Sequence, residues 1–151
     1  TLQGVVRRFD VQVASPKLIY IDDYAHHPSE LKACIDSIRE MYAGKKLTGI
    51  FQPHLYSRTR DFAPEFAKSL SLLDELILLD IYPAREEPIP GVSSQMIFDE
   101  VTCSEKQMCS KETLLNVLND KDLEVVMTIG AGNIDRLVEP IKELLSKRVN
   151  G

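Results

Sequence analysis

The chain has 151 residues, 44% of them hydrophobic, and 18 Lys and Arg against 23 Asp and Glu give it a formal charge of -5. That length builds one domain around one core, the acidic balance excludes a general nucleic-acid surface, and no apolar run is long enough to span a bilayer. With no signal-peptide pattern at its start, cytoplasm is the expected compartment, and Cys34, Cys103 and Cys109, odd in number and without zinc-site spacing, read as reduced thiols.

Gly4-Val5-Val6-Arg7-Arg8-Phe9, then the alternating Asp10-Val11-Gln12-Val13, predict an edge strand or extended linker over residues 1–16, broken at Ser15-Pro16. The apolar run Leu18–Ile21 reads as a buried parallel strand. The heptad Asp22-Asp23-Tyr24-Ala25-His26-His27-Pro28 is then the loop at its carboxyl end, where open α/β sheets place ligand sites. Capping a helix needs one oxygen; this loop offers two carboxylates, two imidazoles and a phenol, which makes it the first candidate site.

Leu31, Cys34, Ile35, Ile38 and Met41-Tyr42 form an apolar stripe that predicts a helix from about Pro28 to Tyr42, ended by Gly44. Leu47–Phe51 is the next strand, and Gln52–Asp61 a second polar loop, carrying His54, Tyr56, Arg58 and Arg60. A helix marked by Phe62, Phe66, Leu70 and Leu73 leads to a strand at Glu75–Ile81. After it Pro83, Pro88, Pro90 and Gly91 predict a rigid irregular loop, Tyr82–Ser94. A short helix over Met96–Val101, a minor strand or irregular segment over 102–110, a helix at Glu112–Leu118 and a strand at Glu124–Ile129 follow. The last helix spans about Ile134–Arg148, with Pro140 as a kink or boundary. This alternation predicts a three-layer, Rossmann-like α/β domain with a mainly parallel sheet flanked by helices. Right-handed crossovers bring the three polar loops to one sheet edge.

Gly130-Ala131-Gly132 lacks the third glycine of a dinucleotide fingerprint. Gly132 reads as a close packing contact and Gly130 as a point of approach for a ligand or a facing domain. No Gly-x-x-x-x-Gly-Lys-Ser/Thr phosphate loop occurs anywhere in the chain.

The heptad, with Phe51-Gln52-Pro53-His54, Tyr56-Ser57-Arg58-Thr59-Arg60-Asp61, Tyr82-Pro83-Ala84, Pro88-Ile89-Pro90-Gly91 and Gly130-Ala131-Gly132, resembles in the same order the third domain of the Mur ligases. Among these it is similar to the branch that joins L-alanine to UDP-N-acetylmuramate in peptidoglycan synthesis. The resemblance implies a domain at 17–151 joined by residues 1–16 to a central ATPase domain. That central domain supplies the phosphate loop and most of the hold on Mg2+, and a further domain holds the UDP-sugar. Taken alone, the present chain would be folded, without turnover, and without a catalytic or metal-binding residue of its own. By position, Arg58 matches the residue assigned to the L-alanine carboxylate and His26 a neighbour of the incoming amine, while His54, Tyr56 and Tyr24 line the pocket. Arg8, Asp22 and Asp23 match the wall of the ATP site. Many relatives have an arginine where this chain has Leu55, so either Arg58 with Arg60 nearby, or backbone amides of Tyr82–Gly91, would replace it.

Three other readings compete. A murein tripeptide-recycling ligase has a similar heptad but Phe at the Tyr24 position, and usually lacks the Gln-Pro-His-x-Tyr-x-Arg-Thr-Arg loop. A non-catalytic flavodoxin-like binding module needs no phosphate loop. A metal hydrolase would use His26, His27, Asp22 and Asp23 as ligands, although neighbouring histidines on one loop do not easily face one ion.

Overall fold

A computed structural model describes residues 9–150. Six strands form one sheet in the order β1-β2-β6-β3-β4-β5. β1 (Asp10–Ala14) is an antiparallel edge strand whose register shifts between Val11 and Val13, and the other four pairings are parallel. β2 (Ile19–Asp23), β3 (Leu47–Phe51), β4 (Glu75–Leu78) and β6 (Val125–Ile129) are almost wholly buried, as continuous apolar runs require when helices cover both faces. β5 (Glu105–Met108), polar and half exposed, closes the other edge; it is the minor strand expected within 102–110.

Two apolar clusters make the layers. On one face Leu31, Ile35 and Ile38 of α1 (Pro28–Met41), Phe66 and Leu70 of α2 (Tyr56–Leu70) and Ile97 of α3 (Gln95–Phe98) pack on Ile21, Phe51, Leu76 and Met127. On the other, Leu114 and Leu118 of α4 (Leu114–Asn119) and Ile141 and Leu145 of α5 (Val138–Asn150) pack on Tyr20, Ile50, Ile77 and Val126. Each large apolar side chain so buried contributes about 1.5–3 kcal/mol.

Two expectations need correction. Asp22 and Asp23 belong to β2, where they pair with Thr128 and Ile129, so the loop proper begins at Tyr24. The segment from Tyr56 to Asp61 is helical, not loop: α2 starts six residues before the first apolar marker, with a non-helical kink at Phe62 (φ -126°, ψ 16°). Pro64 lacks an N–H and crowds the preceding turn, so the chain bends there, and the apolar stripe shows only beyond the bend. Pro140 lies in the first turn of α5, after a 3₁₀ turn at Asn133–Leu137, where its missing N–H removes no internal bond.

Candidate functional site

The parallel ladders set Asp23, Ile129 and Phe51 side by side, and Phe51 beside Leu78, so the loops after β2, β3, β4 and β6 leave one edge together. Pro28 opens α1, and the Glu30 carboxylate accepts hydrogen bonds from the backbone N–H groups of His26 (3.0 Å) and His27 (3.1 Å), which holds both imidazoles at the helix entrance. The His26 Nδ1–H donates to the Tyr24 carbonyl (3.1 Å). Because that acceptor demands a proton on Nδ1, the neutral ring carries its lone pair on Nε2.

His54 is the counterpart with the opposite tautomer. Its Nδ1 lies 3.0 Å from a terminal nitrogen of Arg58, and a guanidinium can only donate, so Nδ1 accepts and Nε2 carries the proton. Burial, then the Arg58 charge and then His26 lower the His54 pKa below its usual value, against an opposing pull from Glu86. The ring stacks on Tyr82 (centroids 5.7 Å, planes 12° apart) and meets His26 edge-on at 6.1 Å. Tyr24 packs edge-on against His26, and His27 against the half-exposed Phe62.

Backbone bonds join the second and third loops. Leu55 N–H donates to the Tyr82 carbonyl, and Tyr82 N–H to the Pro53 carbonyl, both at 2.8 Å. Glu86, on the proline-rich loop, accepts from the Ser57 N–H (3.0 Å) and from the Ser57 hydroxyl. At Leu55 it is the backbone that does the positioning: besides Tyr82, its carbonyl accepts from the N–H and hydroxyl of Thr59. Arg60 pairs with Asp61 on the exposed side of α2. Tyr56 opens α2 and is half buried.

Asp22 and Asp23 are buried beneath this edge. Asp22 accepts from the Thr128 hydroxyl (2.7 Å), whose oxygen in turn takes the Tyr20 hydroxyl proton (2.9 Å). The Asp23 carboxylate accepts from the backbone N–H of Ala25 (2.9 Å) and of Phe9 (2.8 Å). Arg8 lies outside the described residues. Among the described residues no group of three or more His, Cys, Asp or Glu is placed to hold a metal ion, and Cys34, Cys103 and Cys109 form no disulfide.

The glycine turn is closely packed. A Cβ on Gly132 would lie 2.6 Å from the Tyr82 ring and 2.7 Å from Gln52 Oε1, and one on Gly130 (φ 153°) 3.1 Å from the Gln52 carbonyl. Gln52 itself is buried, with its amide nitrogen on Asn133 (2.8 Å) and its oxygen on the Ile134 N–H (3.0 Å). Three residues outside the candidate set, Gln52, Tyr82 and Glu86, thus hold the site together. The available signal was that Gln52 directly follows β3 and that Tyr82 and Glu86 lie in the proline-rich loop after β4.

The arrangement offers an anion fork, Arg58, and an imidazole lone pair, His26 Nε2, on one edge and separated by the His54 ring. Those are complementary chemistries for the two ends of an amino acid.

Residues 7–132 match the family model described as Mur ligase, glutamate ligase domain. The chain is 64% identical over 149 residues to the UDP-N-acetylmuramate--L-alanine ligase of Parabacteroides distasonis, covering 99% of this chain and 32% of that protein. It is 57% identical over 149 residues to that of Phocaeicola vulgatus, covering 98% of this chain and again 32% of the relative. The chain therefore spans about a third of the length of the curated relatives it matches. In fold it is similar to a murein peptide ligase from Psychrobacter arcticus (TM-score 0.72, 17% identity, 95% of this chain and 30% of that one). It is likewise similar to the MurF ligase of Thermotoga maritima solved with ADP (TM-score 0.62, 18% identity, 98% of this chain and 33% of that one).

Proposed function

The chain belongs to the Mur ligase family, and from that membership we propose that it is the C-terminal domain of a cytoplasmic, ATP-dependent UDP-N-acetylmuramate:L-alanine ligase. The carrying observation is the Arg58 fork, bonded to His54 and one ring away from the His26 lone pair. In the full-length enzyme ATP supplies the phosphoryl group that activates the UDP-N-acetylmuramate carboxylate for amide formation. This chain contributes position and charge. Arg58 takes the L-alanine carboxylate with two parallel N–H donors, and His26 accepts a hydrogen bond from the amine through Nε2, keeping the nitrogen lone pair aimed at the acyl carbon. Tyr24, His54 and Tyr56 wall the pocket.

Asp22 and Asp23 are buried and hydrogen-bonded within the protein, so in this reading they serve the ATP side by holding chain rather than by touching phosphate. Asp23 anchors the backbone of Phe9. The phosphate loop and the ligands of Mg2+ belong in this reading to the central domain, with residues 1–16 as the joint and 17–151 as the amino-acid domain. The recycling ligase is the weaker alternative, because its likeness is one of fold at 17% identity while the L-alanine ligases stand at 64% and 57%.

The test is Arg58→Lys in the full-length ligase, which keeps the charge and loses the fork. Charge-assisted hydrogen bonds contribute about 1.5–3 kcal/mol each, so catalytic efficiency for L-alanine should fall by roughly one to two decades while the KM values for ATP and UDP-N-acetylmuramate hold. An equal loss for ATP and L-alanine would sink the assignment.

A further inference from the structure

We propose that His54, besides walling the pocket, is a positioning residue: its Nδ1 lone pair takes one Arg58 N–H and so turns the remaining guanidinium donors toward the amino-acid carboxylate. The inference rests on the reading of Arg58 as the carboxylate fork and adds the group that aims it.

The geometry limits what His54 can do. Its Nδ1 is committed to Arg58 at 3.0 Å, one face of the ring is stacked on Tyr82, and its edge meets His26. The ring is fixed at its root as well, since the flanking Pro53 and Leu55 are both bonded to the Tyr82 backbone and Leu55 turns the chain with φ at 74°. A guanidinium on a long, otherwise half-buried side chain loses much rotamer freedom in a productive fork. An acceptor that holds one of its five N–H groups removes part of that cost before substrate arrives.

The device works only while His54 is neutral, because an imidazolium would turn an N–H toward Arg58. The groups facing the ring from the packed elements are Arg58 on α2, His26 after β2, and Tyr82 and Glu86 on the proline-rich loop. Burial, Arg58 and His26 disfavour the imidazolium, and Glu86 alone favours it. At neutral pH the lone pair is therefore present, and it is lost only as pH falls below the ordinary histidine value.

Kinetics of the full-length ligase test the proposal with three variants. His54→Phe keeps a ring for Tyr82 but has no acceptor, and should raise the L-alanine KM about tenfold with the ATP KM unchanged. His54→Asn places its side-chain oxygen near the Nδ1 position and should recover most of that loss. Failure of Asn to recover the loss overturns the proposal. Arg58→Ala separates the two claims. If it raises the L-alanine KM while His54→Phe does not, the positioning role falls and the carboxylate role of Arg58 stands; if it raises the ATP and L-alanine KM values equally, both fall. An independent readout needs no ligand: long-range 1H–15N imidazole spectra of the wild-type chain should show His54 as the Nε2–H tautomer, and an Nδ1–H tautomer refutes the proposal even where His54→Phe does not fold.

Discussion

Leu55 combines φ 74° with ψ 136°, a backbone state that costs a residue bearing a Cβ about 1–3 kcal/mol. It persists because Tyr82 and Thr59 hold its N–H and carbonyl. The strain sits between His54 and the first turn of α2, where Arg58 meets the His54 Nδ1. Leu55→Gly should therefore leave stability in urea unchanged or slightly raised, since relief of strain offsets the lost side-chain burial. Leu55→Ile, β-branched at the same φ, should lower it by about 1–2 kcal/mol. A loss above about 2 kcal/mol for Leu55→Gly would show that the side chain, not the backbone, matters there.

The two helices that enter the site are held at their N-termini by different means. α1 carries its own carboxylate, Glu30, one turn inside the helix. α2 begins at an apolar residue without a side-chain cap and takes Glu86 from the proline-rich loop, 29 positions from Ser57. The Ser57 contacts draw the Glu86 pKa below its usual value, so the cap is ionised at neutral pH, as the positive end of a helix favours. Glu86→Ala should speed hydrogen exchange at Ser57 and along Tyr82–Gly91 and leave the start of α1 unchanged. Unaltered protection at Ser57 would argue against the cap. This non-local cap also explains why the start of α2 is hard to read in the sequence: the helical signals within Tyr56–Asp61 are weak, and the group that completes the turn lies in another loop.

At the scale of the molecule, the edge opposite the site is tied by Glu75, the buried first residue of β4. It meets Lys46 before β3 (3.2 Å), Lys121 after α4, and the Thr48 hydroxyl (3.2 Å), while Lys46 also reaches Glu105 of β5 (3.0 Å). Burial alone would raise the Glu75 pKa, but Lys121 and Lys46 outweigh it and the net shift is down. A depressed carboxylate pKa stabilises the fold above its unfolded value, 4.5, and that contribution is lost as pH falls through the lower folded value. Glu75→Gln should lower stability at pH 7 by about 1.5–3 kcal/mol, the worth of a hydrogen bond to a charged group, and flatten the acid limb of stability below pH 4.5. A variant as acid-sensitive as wild type would assign that limb elsewhere.

Much of this protein is written locally. Continuous apolar runs at Leu47–Phe51 and Val125–Ile129, the 3–4 spacing of Leu31, Cys34, Ile35 and Ile38, and polar loops after each strand determine an α/β sheet with one loaded edge, because burial on both faces and right-handed crossovers leave few alternatives. The loops that carry the candidate residues could be located for the same reason. The states of those residues could not be read. That Asp22 and Asp23 turn inward, that His26 and His54 hold opposite tautomers, and that Leu55 acts through its backbone were decided by partners far along the chain: Thr128 lies 106 positions from Asp22, and Phe9 lies 14 from Asp23. Hydrogen-bond geometry between distant segments exists only after the sheet has brought their ends together, and spacing along a chain carries no record of it.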